Sequence, residues 1–175
     1  MIDAAIKKEY DEKGVIVIPN VFTDEECAQI KQAAYSVTDD QIKSAGYPLG
    51  PSEQVYNKKS LIFFPALAND YLNKTRTDSR MAEIVRSFIG DDVRQINNQV
   101  YFREAGDQDE FAWHQDVIFR EPNIFGNDVV EDYFQTIIAV DDITEDNGAI
   151  EFIEGSHKTM NIPKPVSYTH LRAHE

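Results

Sequence analysis

From residue 92 onward the chain is written as short apolar and β-branched runs separated by turn residues: RQINNQVYFRE (94–104), EFAWHQDVIF (110–119), YFQTIIAVDDI (133–143) and AIEFIEGS (149–156). Runs of this length with Val, Ile, Tyr and Phe enriched are the pattern of strands, and Asn147-Gly148 between the last two is a strong hairpin signal. Four such runs in succession demand a sheet that closes on itself or packs against another. The first half differs. TDEECAQIKQAAYSV (23–37) opens with Thr23 and Glu26 three apart, a capping-box spacing, and continues with Cys27, Ile30 and Ala34 at helical intervals. SRMAEIVRSFIG (79–90) puts Met81, Ile84, Val85 and Phe88 on one helical stripe and stops at Gly90. Helices first and antiparallel strands after predict an α+β, mainly β chain whose sheet part is a barrel or sandwich.

Other segments are less decided. GVIVIPNVF (14–22) reads as a strand closed by a turn at Pro19-Asn20, and residues 39–60 as a loop marked by Gly46, Pro48, Gly50 and Pro51. LIFFPAL (61–67) is apolar and fits either a strand or a buried helical piece. No internal repeat or low-complexity tract interrupts the chain.

Length and charge then narrow the function. At 175 residues the chain suits one domain with a real core, and its 42% hydrophobic and 11% aromatic content is that of a folded protein. A net charge of −14 argues against a nucleic-acid partner, which would need a basic face. The same acidity leans against a bulky CoA thioester, whose phosphates prefer Lys and Arg. No apolar run has the length of a signal peptide core or a membrane span, and the single cysteine, Cys27, allows no intramolecular disulfide. A soluble protein of the reducing cytoplasm, without membrane or nucleic-acid partners, is the expectation; oligomeric state is not legible.

The chemistry concentrates at FAWHQDVIFREP (111–122), which holds the only Trp and, two residues apart, His114 and Asp116. On a strand, i and i+2 share a face, so an imidazole and a carboxylate would converge there. Two histidines and one carboxylate on one face of an octahedron form the site of non-haem Fe(II) oxygenases, and His-x-Asp supplies two of those three ligands. The bare tripeptide equally describes a polar pair on a solvated strand face.

The surrounding residues resemble the phytanoyl-CoA dioxygenase family, Fe(II)- and 2-oxoglutarate-dependent oxygenases that include phytanoyl-CoA and ectoine hydroxylases. EKGVIVIPNVFTDEECAQI (12–30) is similar to the family's opening strand and helix, WHQD (113–116) with FREP to its metal motif, and IIAVDDITEDNGAIEFIEGSHK (137–158) to its strand, Asn-Gly turn and Gly-Ser-His-Lys block. The resemblance covers most of residues 10–160. It implies a double-stranded β-helix, or jelly-roll, core with N-terminal helices. It implies Fe(II) held by His114 and Asp116, with 2-oxoglutarate as co-substrate and O₂ consumed in hydroxylating a small organic substrate. Gln99 and Tyr101 on the preceding strand match positions lining the co-substrate or substrate pocket. Ile137 falls where many relatives carry a Trp beside 2-oxoglutarate. Trp113 is expected to pack and fix the neighbouring ligand. His157, in the Gly-Ser-His-Lys block, is not the family's distal ligand and is expected to order a loop near the site mouth. The 121–132 stretch, EPNIFGNDVVED, reads either as a lid or as a solvated loop.

The chain departs from the family at its end. The family's third ligand comes strands later in a His-Gly pair, followed by an Arg that grips the far carboxylate of 2-oxoglutarate, a fork-to-carboxylate match. No His-Gly pair follows His157, and VSYTHLRAHE (166–175) is similar to a translated cloning linker. The expectation is therefore a phytanoyl-CoA dioxygenase-like domain over 1–166, incomplete at its C-terminus and lacking its closing strands, the distal metal His and the 2-oxoglutarate Arg, with 167–175 non-native. On that reading His170 and His174, four apart, and Arg172 carry no function, and the fragment by itself is inactive. Two rivals remain: a non-catalytic jelly-roll binding domain, and a metal protein that does not use 2-oxoglutarate.

Overall fold

The computed structural model describes residues 2–37, 61–103, 113–116 and 133–159. They group into two compact units, one within 1–17, 106–136 and 150–175, the other within 18–105 and 137–149.

The second unit holds most of the regular structure. Helix α2, Asp24–Ser36, begins as its sequence requires: the Thr23 hydroxyl accepts from the Glu26 N–H at 3.2 Å, and the Glu26 carboxylate accepts from the Thr23 N–H at 2.8 Å. Two orphan donors of the first turn are thereby satisfied at once. A short strand β1, Leu61–Phe63, leads into a 3₁₀ turn, Pro65–Leu67, and helix α3, Asp70–Arg76. Asn69 caps α3 through its side-chain oxygen, to the N–H groups of Tyr71 and Leu72, while its amide donates to the Ser36 hydroxyl at the end of α2. One residue thus starts one helix and pins it to the end of another.

Helix α4, Ser79–Ile89, starts on Asp78 and ends at Gly90, whose φ of +87° takes the chain out of the helix. Its stripe of Met81, Ile84, Val85 and Phe88 is half-buried throughout. Strand β2, Gln99–Tyr101, pairs antiparallel with β1 in the register Leu61 to Tyr101, Ile62 to Val100 and Phe63 to Gln99. The core is Ile30, Ala33, Val37, Ala66 and Leu72, with Phe22, Ile62, Tyr71, Ile138 and Val140 packed around it.

Arg80 ties this unit together. Its guanidinium forks onto both oxygens of Glu26 at 2.7 and 3.0 Å and both of Asp78 at 2.9 Å, and donates to the Val21 carbonyl at 2.8 Å. All five of its N–H donors are spent, with the plane 4.5 Å from the centre of the Phe22 ring. The hydrogen bonds from Arg80 hold the carboxyls of Glu26 and Asp78 down to about 2 each.

In the first unit, helix α1, Ala4–Lys13, is capped by the Asp3 carboxylate, which accepts from the N–H groups of Ala5 and Ile6 at 2.9 Å. It ends at Gly14, in the left-handed region at φ +78°, with the Gly14 N–H on the Tyr10 carbonyl at 2.7 Å. A 3₁₀ turn, Ser156–Lys158, lies against that end. The Gly155 N–H donates to the Lys13 carbonyl at 2.8 Å, the His157 Nε2 sits 3.2 Å from the Asp11 carbonyl, and the Tyr10 ring stacks 5.4 Å from Phe134.

Several sequence expectations are corrected. Among the described residues, β1 and β2 are the only strands. Residues 14–22, 133–143 and 149–156 form none, although their apolar and β-branched content is that of strands. The ambiguous 61–63 run is a strand because 99–101 pairs with it. Asn147-Gly148 does not make a two-residue hairpin. Residues Glu145–Asn147 form a 3₁₀ turn closed by the Ala149 N–H on the Thr144 carbonyl, with Gly148 at φ +90°. The Asn147 side chain is drawn inward instead, accepting from the Thr144 N–H and donating to the Asp142 carbonyl, both at 2.7 Å. The expected loop at 39–60, the 121–132 stretch and the 166–175 tail lie outside the described residues. No helix among the described residues is long and apolar enough to cross a membrane.

Candidate metal centre

Residues 113–116 are not in a strand, yet His114 and Asp116 still converge: Nε2 and Oδ1 stand 3.1 Å apart, each side chain roughly one-third exposed. The distance is that of a direct hydrogen bond or ion pair between the two side chains. It is also close to the ~3.0 Å between two ligands each ~2.1 Å from one ion and ~90° apart. A borderline nitrogen beside a hard oxygen is also the donor set a divalent first-row metal takes. The pair fits such an ion. Among the described residues no third His, Cys, Asp or Glu joins it.

The residue between the two ligands is held from outside. Gln115 donates its amide N–H groups to the carbonyls of Ser156 at 2.7 Å and Thr159 at 2.9 Å, 41 and 44 residues on. Trp113, expected to pack beside His114, is 52% exposed.

The other expected site residues belong to the second unit. Gln99 and Tyr101 share one face of β2, as residues two apart on a strand must, and the Tyr101 hydroxyl donates to the Gln99 Oε1 at 2.9 Å. Ile137 is 52% exposed, while its neighbours Ile138 and Val140 pack on the core. It is not among the side chains packed on that core. His157 is engaged at the end of α1. His170, Arg172 and His174 lie outside the described residues.

Comparison with known proteins decides the family. The family model "Phytanoyl-CoA dioxygenase (PhyH)" matches residues 10–175. This chain belongs to the phytanoyl-CoA dioxygenase family. The family implies a cupin-like jelly-roll fold, of which the described residues contain one antiparallel strand pair.

Three curated relatives agree. The "Probable alpha-ketoglutarate-dependent hypophosphite dioxygenase" of Stutzerimonas stutzeri is 26% identical over 160 residues, covering 87% of this chain and 52% of that protein. The "Ectoine dioxygenase" of Sphingopyxis alaskensis is 25% identical over 164 residues, covering 90% and 51%. The "Ectoine dioxygenase" of Bordetella bronchiseptica is 24% identical over 157 residues, covering 86% and 48%. The chain thus spans about half the length of the curated relatives it matches. No solved structure gives a significant match.

The sequence motif located the converging His114 and Asp116 pair, but sequence reasoning missed Gln115. It sits inside WHQD, where attention falls on the ligands either side, and its partners are visible only once the 156–159 turn is folded against it.

Proposed function

We propose that the protein is an Fe(II)- and 2-oxoglutarate-dependent dioxygenase that hydroxylates a small organic substrate, with His114 and Asp116 as two of the three protein ligands to the metal. The observation that carries this reading is the 3.1 Å convergence of Nε2 and Oδ1 within WHQD, in a chain of this family. Bound Fe(II) and 2-oxoglutarate would supply the oxidising chemistry, with one O₂ consumed, succinate and CO₂ released, and a hydroxyl left on the substrate.

What the chain's own residues contribute is binding and orientation. To ligate through Nε2, His114 must be neutral with its proton on Nδ1, and Asp116 must be ionised. Gln99 and Tyr101, already joined by a hydrogen bond, offer a polar edge for the co-substrate or substrate, and Ile137 an apolar wall.

In this reading the distal metal His and the Arg that grips 2-oxoglutarate belong to the remainder of the protein, 167–175 is not native sequence, and these residues alone do not turn over. The half-length coverage of the relatives supports the first of these, that further chain carries the missing residues. So do Ile150, Phe152 and Ile153, each about half exposed in a segment that further strands of a jelly roll would cover.

The test is succinate formation from 2-oxoglutarate by protein made from the complete gene, resequenced across codons 160–175. The expected result is Fe(II)-dependent succinate formation that Asp116→Ala abolishes. Iron binding without 2-oxoglutarate consumption would favour a metal protein of another reaction. Ligand binding with neither would favour a non-catalytic domain.

A further inference from the structure

We infer that Gln115 is the positioning residue of the metal pair, and that the turn through which it acts is anchored by the C-terminal end of α1. This rests on the reading of His114 and Asp116 as metal ligands.

Gln115 is bonded on one side to His114 and on the other toward Asp116, so a rotation of its backbone carries both ligands with it. Its NH₂ group is spent on two carbonyls, of Ser156 and of Thr159, at 2.7 and 2.9 Å. Two acceptors facing one amide fix which end is nitrogen, because the flipped amide would set oxygen against oxygen. Its own Oε1 is buried and finds no hydrogen-bond partner among the described residues. The side chain is therefore held for its donors, at a cost on its acceptor. A buried polar atom left unpaired beside two well-formed bonds is the mark of an imposed geometry.

The two carbonyls are not loose anchors. They bracket the 3₁₀ turn Ser156–Lys158, which is fastened at its start by the Gly155 N–H on the Lys13 carbonyl at 2.8 Å and flanked by the Lys13–Glu154 ion pair at 3.7 Å. Within the turn, His157 reaches the Asp11 carbonyl in the last turn of α1, and its ring lies beside Gly14. A Cβ at Gly14 would fall 2.2 Å from the His157 Nδ1, closer than any side chain can approach. Gly14 is favoured for its left-handed φ of +78°, and a Cβ there would also displace the His157 ring from its place. The tether runs in one line: α1 to the 155–159 turn, turn to Gln115, Gln115 to the ligands on either side of it. Each link is a hydrogen bond or a close contact within one compact unit.

The experiment uses the complete protein and Co(II) as the metal probe, read by titration, by the Co(II) ligand-field absorption, and by amide exchange of residues 155–159 in the metal-free state. Gln115→Glu keeps the shape but turns two donors into acceptors facing carbonyls. It should weaken Co(II) binding about 10- to 100-fold, the range for residues that orient metal ligands. It should also alter the absorption and speed exchange in 155–159. Gly14→Ala leaves Gln115 and both ligands intact and should shift the same three readouts in the same direction by a smaller factor. It decides the matter if Gln115→Glu fails to fold. Wild-type Co(II) binding with unchanged affinity and spectrum in the folded variants overturns the positioning role alone. A wild-type protein that binds no Co(II) overturns the metal reading and this inference with it.

Discussion

The two units are held together by different physics. In the helical unit every buried apolar side chain of the described residues is found: Ile30, Ala33, Ala34, Val37, Ala66 and Leu72. Among the described residues of the unit that carries WHQD none is, and α1 buries no residue. That second arrangement rests on backbone carbonyls captured one by one, by Gly155, His157 and Gln115, and on a close approach at Gly14. An apolar core is tolerant of small shifts and intolerant of lost volume; a chain of directional tethers is the reverse. A pair of metal ligands needs the second kind of support, since its donors must be placed to a fraction of an ångström.

The contrast can be broken at its strongest point first. Leu72→Ala, at a site 6% exposed, should cost the helical unit about 2–4 kcal/mol in urea denaturation. It should leave amide exchange at 155–159 unchanged. An equal rise in exchange there would show that the two units share one cooperative core.

Gly14→Ala should act the other way round. Placing a Cβ at φ +78° costs about 1–2 kcal/mol before the clash with His157 is counted, and the loss should fall on α1 and the 155–159 turn. Exchange in α2, read in the same experiment, should not move.

A smaller, pH-dependent effect belongs to Arg80. Glu26 and Asp78 are depressed to about 2, below the ordinary carboxylate range near 4, chiefly by its hydrogen bonds. Groups with lowered folded pKa add stability that is fully present above ~4 and is lost as pH falls toward ~2. Arg80→Gln should therefore lower the urea midpoint at pH 7 and converge on the wild type near pH 2. Parallel curves across that range would mean the carboxylates are not coupled to folding.

The smallest stability effect is at Ile137, half exposed, where Ala should change the midpoint by no more than ~0.5 kcal/mol. Its effect should instead appear as a raised KM for 2-oxoglutarate in the complete protein. A stability loss with KM unchanged would return Ile137 to a packing role.

What was legible in the sequence follows the same division. The capping box at Thr23 and Glu26, the stripe of α4 and its stop at Gly90 are local signals, and each stands where the spacing puts it. Helix α1 was not read, because AAIKKEYDEK has no apolar stripe and its stability comes from the Asp3 cap and the docked turn. The partner of β2 lies 38 residues upstream in a run with no period of its own. The Asn147-Gly148 hairpin signal was overridden by the Asn147 side chain bonding its own loop. At the candidate site the His114 and Asp116 pair was legible as a motif, while the hydrogen bonds to Gln115 between them were not, since bonds spanning 41 and 44 residues leave no trace in local pattern.

The central claim is that His114 and Asp116 hold a metal. Its most direct test is anaerobic titration of the complete protein with Fe(II), wild type against His114→Ala and Asp116→Ala. One equivalent bound by the wild type and a loss of at least about tenfold in affinity in each variant is the result this account predicts. Equal binding by all three proteins, or none by the wild type, would contradict it.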